Sequence, residues 1–242
     1  MKQWRYQSAR DLESGPLERL QRIDRERGWL DTLASLLWWS FVQTYLLLYH
    51  RMRIVGRGNL PAAAPFVMVA NHNSHLDAVS LVAALPWRMR HRTFPLAAAD
   101  HFFERKTMAP FSGWLLNALP IRRSGGGRDD IRALRERLIS QDPPILVLFP
   151  EGTRSRSGQI APFKPGIGML VAGTEVAVVP CYLEGTGRAF PADAKLPKPS
   201  RLRLLVGLPL HFAADPDDKA GWEAVARQVE EAVRALEPNR PG

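Results

Sequence analysis

Two uncharged apolar runs, Pro65–Ala70 and Ile145–Phe149, each stop abruptly in a polar loop. The first breaks into Asn71-His72-Asn73-Ser74-His75-Leu76-Asp77 and the second into Pro150-Glu151-Gly152-Thr153-Arg154-Ser155. Short continuous apolar runs of this kind read as buried strands. Polar loops launched from the ends of such strands are how open α/β sheets usually build their sites.

The rest of the chain alternates in the same fashion. Further strands are expected at Arg53–Val55, Thr93–Ala98, Leu119–Arg122, Val176–Leu183 and Arg201–Leu208. Helices are expected at Asp77–Leu85, Met108–Ala118, Asp129–Ser140, Ile167–Gly173 and Ala220–Leu236. The order predicts an α/β fold, with a central mixed, mostly parallel sheet flanked by helices. With 242 residues, one large domain at 53–242 and an N-terminal helical segment at 1–52 account for the length.

The N-terminal segment is polar and Arg-rich to residue 29, with no apolar core of a secretory signal. Thr32–Tyr49 then runs uncharged and mostly apolar, near the lower limit for crossing a bilayer. Leu30, Ala34, Leu37, Trp38, Phe41, Tyr45 and Leu48 share one helical face, with Ser40, Gln43 and Thr44 away from it. Basic residues flank the segment on both sides, which argues against translocating either end. A helix lying in the membrane interface is favoured over one that spans it or one packed on the protein's own core.

The formal charge of +9 predicts acidic partners, anionic membrane lipid or a phosphorylated ligand. Eight basic residues against two acidic ones fall between Pro86 and Arg128, between the two polar loops, so that field is expected to face the site. No nucleic-acid recognition motif accompanies the charge, so nucleic acid is not an expected partner. A single Cys excludes an internal disulfide framework, and Cys181 reads as a small buried residue.

His72 and Asp77 together suit general-base chemistry. The imidazole takes a hydroxyl proton while the carboxylate fixes its tautomer and steadies the cation. The same Ser74-x-x-Asp77 spacing is a helix-capping pattern, and both roles can coexist. His75 is a rival base, and His72 is preferred because it sits directly at the strand terminus. A His72/His75/Asp77 metal site finds no further histidine in the later loop, and no metal or cofactor is expected. Glu151-Gly152-Thr153-Arg154 offers amides, a hydroxyl and a guanidinium that can fork a phosphate. Lys164 adds a cation at the start of the next helix, and Arg122-Arg123 ends a short strand with two more. The following Gly125-Gly126-Gly127 reads as a flexible loop. No nucleophile elbow, P-loop, dinucleotide fingerprint or C-x-x-C pair is present, which leaves direct attack by an activated substrate hydroxyl.

Taken together, these blocks resemble the 1-acylglycerol-3-phosphate acyltransferase (PlsC-like) family of glycerolipid acyltransferases. The resemblance covers about Arg53 to Gly207 and rests on Asn71-His72-x-Ser74-x-x-Asp77, Leu119-Pro120-Ile121-Arg122-Arg123, Phe149-Pro150-Glu151-Gly152-Thr153-Arg154-Ser155 and Val178-Val179-Pro180. Arg122 stands where the family usually carries an acidic residue. The resemblance implies acyl transfer from acyl-CoA or acyl-carrier protein to the hydroxyl of a lysophospholipid. 1-Acyl-glycerol-3-phosphate leads as acceptor, and another lysolipid such as a lyso-aminolipid is the alternative. It implies His72 as general base, Asp77 as its orienting partner, and Arg123 and Arg154 on the acceptor phosphate. Glu151 and Gly152 would shape the acceptor site, flanked by Thr153 and Lys164. The expected location is the cytoplasmic face of a membrane, peripheral or monotopic. The competing reading is a non-catalytic module that binds anionic lipid.

Overall fold

The computed structural model describes residues 29–98, 117–121, 127–155, 157–191, 194 and 196–238. The strands are β1 (Arg53–Val55), β2 (Phe66–Ala70), β3 (Thr93–Ala98), β4 (Leu119–Ile121), β5 (Ile145–Leu148), β6 (Ala177–Glu184) and β7 (Arg203–Val206). The helices are α1 (Trp29–Leu48), α2 (Asp77–Ala84), α3 (Trp87–Arg90), α4 (Gly127–Leu138), α5 (Gly166–Val171), α6 (Thr186–Ala189) and α7 (Lys219–Ala235). They build one seven-stranded sheet in the order β1-β7-β6-β2-β5-β3-β4. Every neighbouring pair is parallel except β6 with β7. Consequently β1 and β7 run opposite to the other five strands, as the expectation of a mixed, mostly parallel sheet requires.

The central strands are buried on both faces, and their alternate side chains enter two separate cores. Phe66, Met68 and Ala70 of β2 pack with Leu81, Val82 and Ala84 of α2 and with Trp39, Val42 and Leu46 of α1. Val67 and Val69 pack on the other face with Leu134 and Leu138 of α4, Leu170 of α5, and Val225 and Val229 of α7. Period-two alternation thus divides an unbroken apolar run between two helical layers.

β2 lies between β6 and β5, with Val69 opposite Leu148. That register brings two loops about eighty residues apart in the chain out side by side at the carboxyl end of the sheet. The strand and helix boundaries fall within two or three residues of the sequence expectation. The expected helix at Met108–Ala118 lies outside the described residues apart from Asn117 and Ala118, which belong to no helix. The short helices α3 and α6 were not anticipated, being too brief for a periodic signal.

The N-terminal helix packs one side on the protein and leaves much of the face expected at the membrane interface exposed. Trp39, Val42 and Leu46 are the residues buried, with Trp38 and Tyr45 partly covered, whereas Leu30, Leu37, Phe41 and Leu48 are exposed. The segment is apolar almost all round, so periodicity alone could not choose the inward side. The hydroxyls of Ser40 and Thr44 donate to the carbonyls of Leu36 and Ser40 within the helix, which removes their demand for water. Among the described residues no helix is long and apolar enough to cross a membrane.

Candidate active site

The first loop leaves β2 through Asn71, whose side-chain amide completes the ladder to β6. Its Nδ2 donates to the Leu183 carbonyl at 3.0 Å and its Oδ1 accepts the Leu183 N–H at 2.7 Å. Clamped at that point, the backbone turns and places His72 over the strand end. Asp77 opens α2 and is fully buried. Its Oδ2 accepts from Nδ1 of His72 at 2.9 Å and from the backbone N–H groups of Asn73 and Ser74, each at 2.7 Å. Both readings of the Ser74-x-x-Asp77 spacing therefore hold: one carboxylate oxygen tightens the turn into the helix and orients the imidazole. Ser74 fixes the turn further by donating to the Phe190 carbonyl at 2.7 Å and accepting the Leu76 N–H at 3.1 Å.

With Nδ1 directed at Asp77, the imidazole presents Nε2 as its second nitrogen. The ring stacks on Phe149, with centroids 4.2 Å apart and planes 17° from parallel. The sequence places Phe149 at a strand end and at the head of the Phe149–Ser155 block, and neither assigns it a contact with His72. Its position immediately before the Pro150-Glu151 turn was the available signal.

The second loop is bonded to the first along its backbone. Glu151 Oε1 accepts the His72 N–H at 2.7 Å, Oε2 accepts the Ala161 N–H at 3.0 Å, and the Ser155 N–H donates to the His72 carbonyl at 2.8 Å. Burial pushes the Glu151 carboxyl above its ordinary value, and this outweighs the two N–H donors and the neighbouring His72 that pull it down. Gly152 adopts φ +75°, and a β-carbon there would sit 2.5 Å from Nζ of Lys164. The lysine side chain therefore lies across the glycine. Thr153 is exposed at the turn, and the Arg154 guanidinium is hydrogen-bonded to the His75 ring. The structure thus joins His72 to Asp77 and Glu151, Gly152 to Lys164, and Arg154 to His75. Arg123 lies outside the described residues.

A cavity of about 730 Å³ opens beside this loop. Leu148, Phe149, Leu170 and Trp222 line it with apolar surface, and Gly152, Lys164 and Arg128 add the loop backbone and two cations.

Of the cations between Pro86 and Arg128, Arg105, Lys106, Arg122 and Arg123 lie outside the described residues, and the described ones divide: Arg128 lines the cavity beside Phe149, whereas Arg88, Arg90 and Arg92 lie elsewhere. Arg88 and Arg92 line a cavity with Ala64 and Ile145, at the amino end of the central strands, and Arg92 pairs with Asp142. Arg90 is buried beneath α1. It donates to the Leu85 and Ala83 carbonyls at 2.9 and 3.1 Å, and its guanidinium lies 5.5 Å from the Trp39 ring centroid. Arg88, Arg90 and Arg92 precede β3 and Arg128 follows β4, so the described cations sit at opposite ends of parallel strands. Cys181 is buried in β6, and burial raises its thiol pKa.

The sequence profile of the Acyltransferase family matches residues 51–184, from the strand before β2 to the end of β6. The chain belongs to this family. It is 29% identical over 180 residues to a chloroplastic 1-acyl-sn-glycerol-3-phosphate acyltransferase of Arabidopsis thaliana, covering 72% of this chain and 47% of that one. It is 33% identical over 191 residues to a 1-acyl-sn-glycerol-3-phosphate acyltransferase of Chlamydomonas reinhardtii, with 75% and 54% covered. The corresponding Bacillus subtilis protein is 26% identical over 190 residues, with 77% and 88% covered. The chain spans about half the length of the plant and algal relatives it matches. The crystal structure of a 1-acyl-sn-glycerophosphate acyltransferase, PlsC, from Thermotoga maritima superposes with a TM-score of 0.65 at 22% identity, covering 88% of this chain and 82% of that one. That likeness extends the family's fold over nearly the whole described chain.

Proposed function

We propose that this member of the acyltransferase family moves a fatty acyl group from an acyl thioester to the free hydroxyl of a lysophospholipid, with 1-acyl-glycerol-3-phosphate as the leading acceptor. The observation that carries the reading is the 2.9 Å contact between His72 Nδ1 and buried Asp77 Oδ2 at the carboxyl end of β2. With Nδ1 donating to Asp77, Nε2 accepts the acceptor's hydroxyl proton as its oxygen attacks the thioester carbonyl. The tetrahedral intermediate then collapses, the C–S bond breaks, and the imidazolium returns its proton to the leaving thiolate. The products are an ester and a free thiol. General-base assistance of this kind is worth roughly 10²–10⁴ in rate. The 730 Å³ apolar cavity that begins at Phe149 gives a fatty chain a place next to His72. Arg128, Lys164 and Arg154 supply cations around the same loops for an acceptor phosphate.

The site is proposed to work at the cytoplasmic face of a membrane, with α1 in the interface. Exposed Leu30, Leu33, Leu37, Phe41 and Leu48 support that placement, since a helix this apolar is costly to leave in water. Purified protein on liposomes, given acyl thioesters and a panel of lysolipids including lyso-aminolipids, tests the proposal. Thioester-dependent acylation of lysophosphatidic acid is expected. His72→Ala is expected to lower turnover by roughly 10² or more while liposome binding persists. Wild-type turnover in that variant would remove the base assignment, and an absence of turnover in the native chain would favour a lipid-binding module.

A further inference from the structure

We infer that the β1–β7 edge of the sheet holds the phosphates of a nucleotide-linked acyl donor, a coenzyme A thioester. The inference rests on the acyl-transfer reading and adds the identity and seat of its donor. Arg51, Arg53, Arg201 and Arg203 line a single cavity of about 390 Å³ together with Val55 and Leu202. The cavity is separate from the one beside Phe149 and shares no lining residue with it.

Its place in the fold follows from strand direction. Ala70, the last residue of β2, is opposite Cys181 of β6, and three residues further along β6 Glu184 is opposite Arg203 of β7. Because β7 runs against β6 and β1 runs with β7, the amino ends of β1 and β7 lie at the same end of the sheet as His72. Two to three strand spacings, roughly 10–14 Å, separate that edge from β2. An extended pantetheine arm crosses such a distance, so phosphates at the edge leave the thioester at His72.

The chemistry of the edge fits a cluster of phosphates. The parallel register sets Arg53 directly beside Arg203. Like charges on adjacent strands repel unless an anion lies between them. Arg203 pairs with Glu184 at 3.3 Å, and among the described residues it alone of the four arginines has an acidic partner. Arg51 holds φ 47°, a left-handed conformation unfavourable for a side chain, at the junction of α1 and β1. Guanidinium forks match phosphate oxygens in pairs, and a 3′-phosphate with a pyrophosphate offers several such faces.

A small concave site suits a nucleotide better than the broad surface of a carrier protein. The bilayer is the less favoured occupant because of side-chain direction. Leu202 and Leu204 point into the core shared with α1, so Arg201 and Arg203, alternating with them, point to the opposite face of the sheet.

Calorimetry with free coenzyme A, its 3′-dephospho form and pantetheine tests the site without requiring turnover, and His72→Ala serves as a binding-competent control. The wild type and His72→Ala are expected to bind coenzyme A alike, with weaker binding of the dephospho form and none of pantetheine. The triple variant Arg51→Ala/Arg53→Ala/Arg201→Ala is expected to raise the dissociation constant on the order of a hundredfold. It leaves Arg203 and its pair with Glu184 in place, and its melting temperature checks that it folds. Unaltered binding in the folded triple variant overturns the site. Failure of the wild type to bind coenzyme A also overturns it, and so does a loss in the triple variant confined to carrier-protein donors or to anionic vesicles. A catalytically silent wild type that binds coenzyme A through these arginines would instead defeat the acyl-transfer reading and leave the site standing.

Discussion

The backbone N–H of His72 donates to Oε1 of Glu151 at 2.7 Å, and the other oxygen of that carboxylate accepts from Ala161. His72 is therefore held twice, through its ring by Asp77 and through its backbone by Glu151. Only 4% of Glu151 is exposed, and both its oxygens are bonded to main-chain donors. It acts as a positioning residue that locks the second loop to the first.

Glu151→Gln tests that role. A carboxamide offers one acceptor where two N–H groups wait, so its NH₂ must face a donor. The cost in stability is expected at about 1–3 kcal/mol. Turnover should fall on the order of 10² through a misplaced imidazole. The variant also has a pH signature. Burial raises the Glu151 pKa above 4.5. Between that value and the raised one, the folded chain keeps a proton the unfolded chain has lost, so stability declines as pH rises through the window. Thermal unfolding from acid to neutral pH should show this decline in the wild type and lack it in Glu151→Gln.

Gly168 controls how closely α5 approaches α7. A β-carbon at that position would lie 2.3 Å from the Trp222 carbonyl oxygen and 2.4 Å from its Cα, and backbone cannot yield as a side-chain tip can. Gly168→Ala should therefore separate the two helices and cost about 3 kcal/mol in urea denaturation. The apolar cavity beside Phe149 shares Met169 and Trp222 with this contact, so acyl-chain preference should broaden in the same variant.

These contacts mark where sequence reading stops. The apolar runs announced β2 and β5 because strands buried on both faces leave little ambiguity, and the loops after them announced His72, Asp77 and Glu151. Sequence spacing also placed His72 near Asp77, since the two lie within one turn. It could not show that Glu151 faces inward to the His72 backbone, because that depends on β2 and β5 being neighbours. The four edge arginines were hidden for the same reason: residues 51 and 53 meet 201 and 203 only through a register across the sheet. The inward side of α1 was illegible because nearly every side of it is apolar.

His50 joins that helix to the sheet and should make the junction acid-sensitive. It is fully buried, with Nδ1 3.2 Å from the Ser200 carbonyl and Nε2 3.0 Å from the Tyr45 hydroxyl. The carbonyl requires a proton on Nδ1, leaving Nε2 to accept from Tyr45. Burial lowers the His50 pKa below 6.5. The neutral ring's contribution to stability is therefore complete above 6.5 and is lost as pH falls toward the depressed folded value. Tryptophan fluorescence of a variant whose tryptophans other than Trp38 and Trp39 are replaced by Phe should reveal loosening of the helix below pH 6.5. His50→Gln should be less stable at pH 7 by about 1–3 kcal/mol and should lack that acid-dependent component.

In the proposed reaction Asp77 serves only through His72, and kinetics separate this from an independent role. All three bonds share one oxygen of Asp77, so in Asp77→Asn the amide either keeps its oxygen at that point or rotates and sets its NH₂ against the Asn73 and Ser74 N–H groups and His72 Nδ1 together. Keeping the turn intact leaves the ring nitrogen without a carboxylate to stabilise its cation, while rotating the amide favours a proton on Nε2, the wrong nitrogen for a base. Turnover in Asp77→Asn should fall by roughly 10³–10⁴. If the aspartate acts through the imidazole, the double variant His72→Ala/Asp77→Asn should be no slower than His72→Ala alone, because an absent ring cannot be misoriented. Losses that multiply in the double variant would mean that Asp77 acts on the substrate or the fold independently of His72. Unfolding midpoints of the three variants distinguish those cases, since the Asn73 and Ser74 bonds predict a stability cost for Asp77→Asn that His72→Ala does not share.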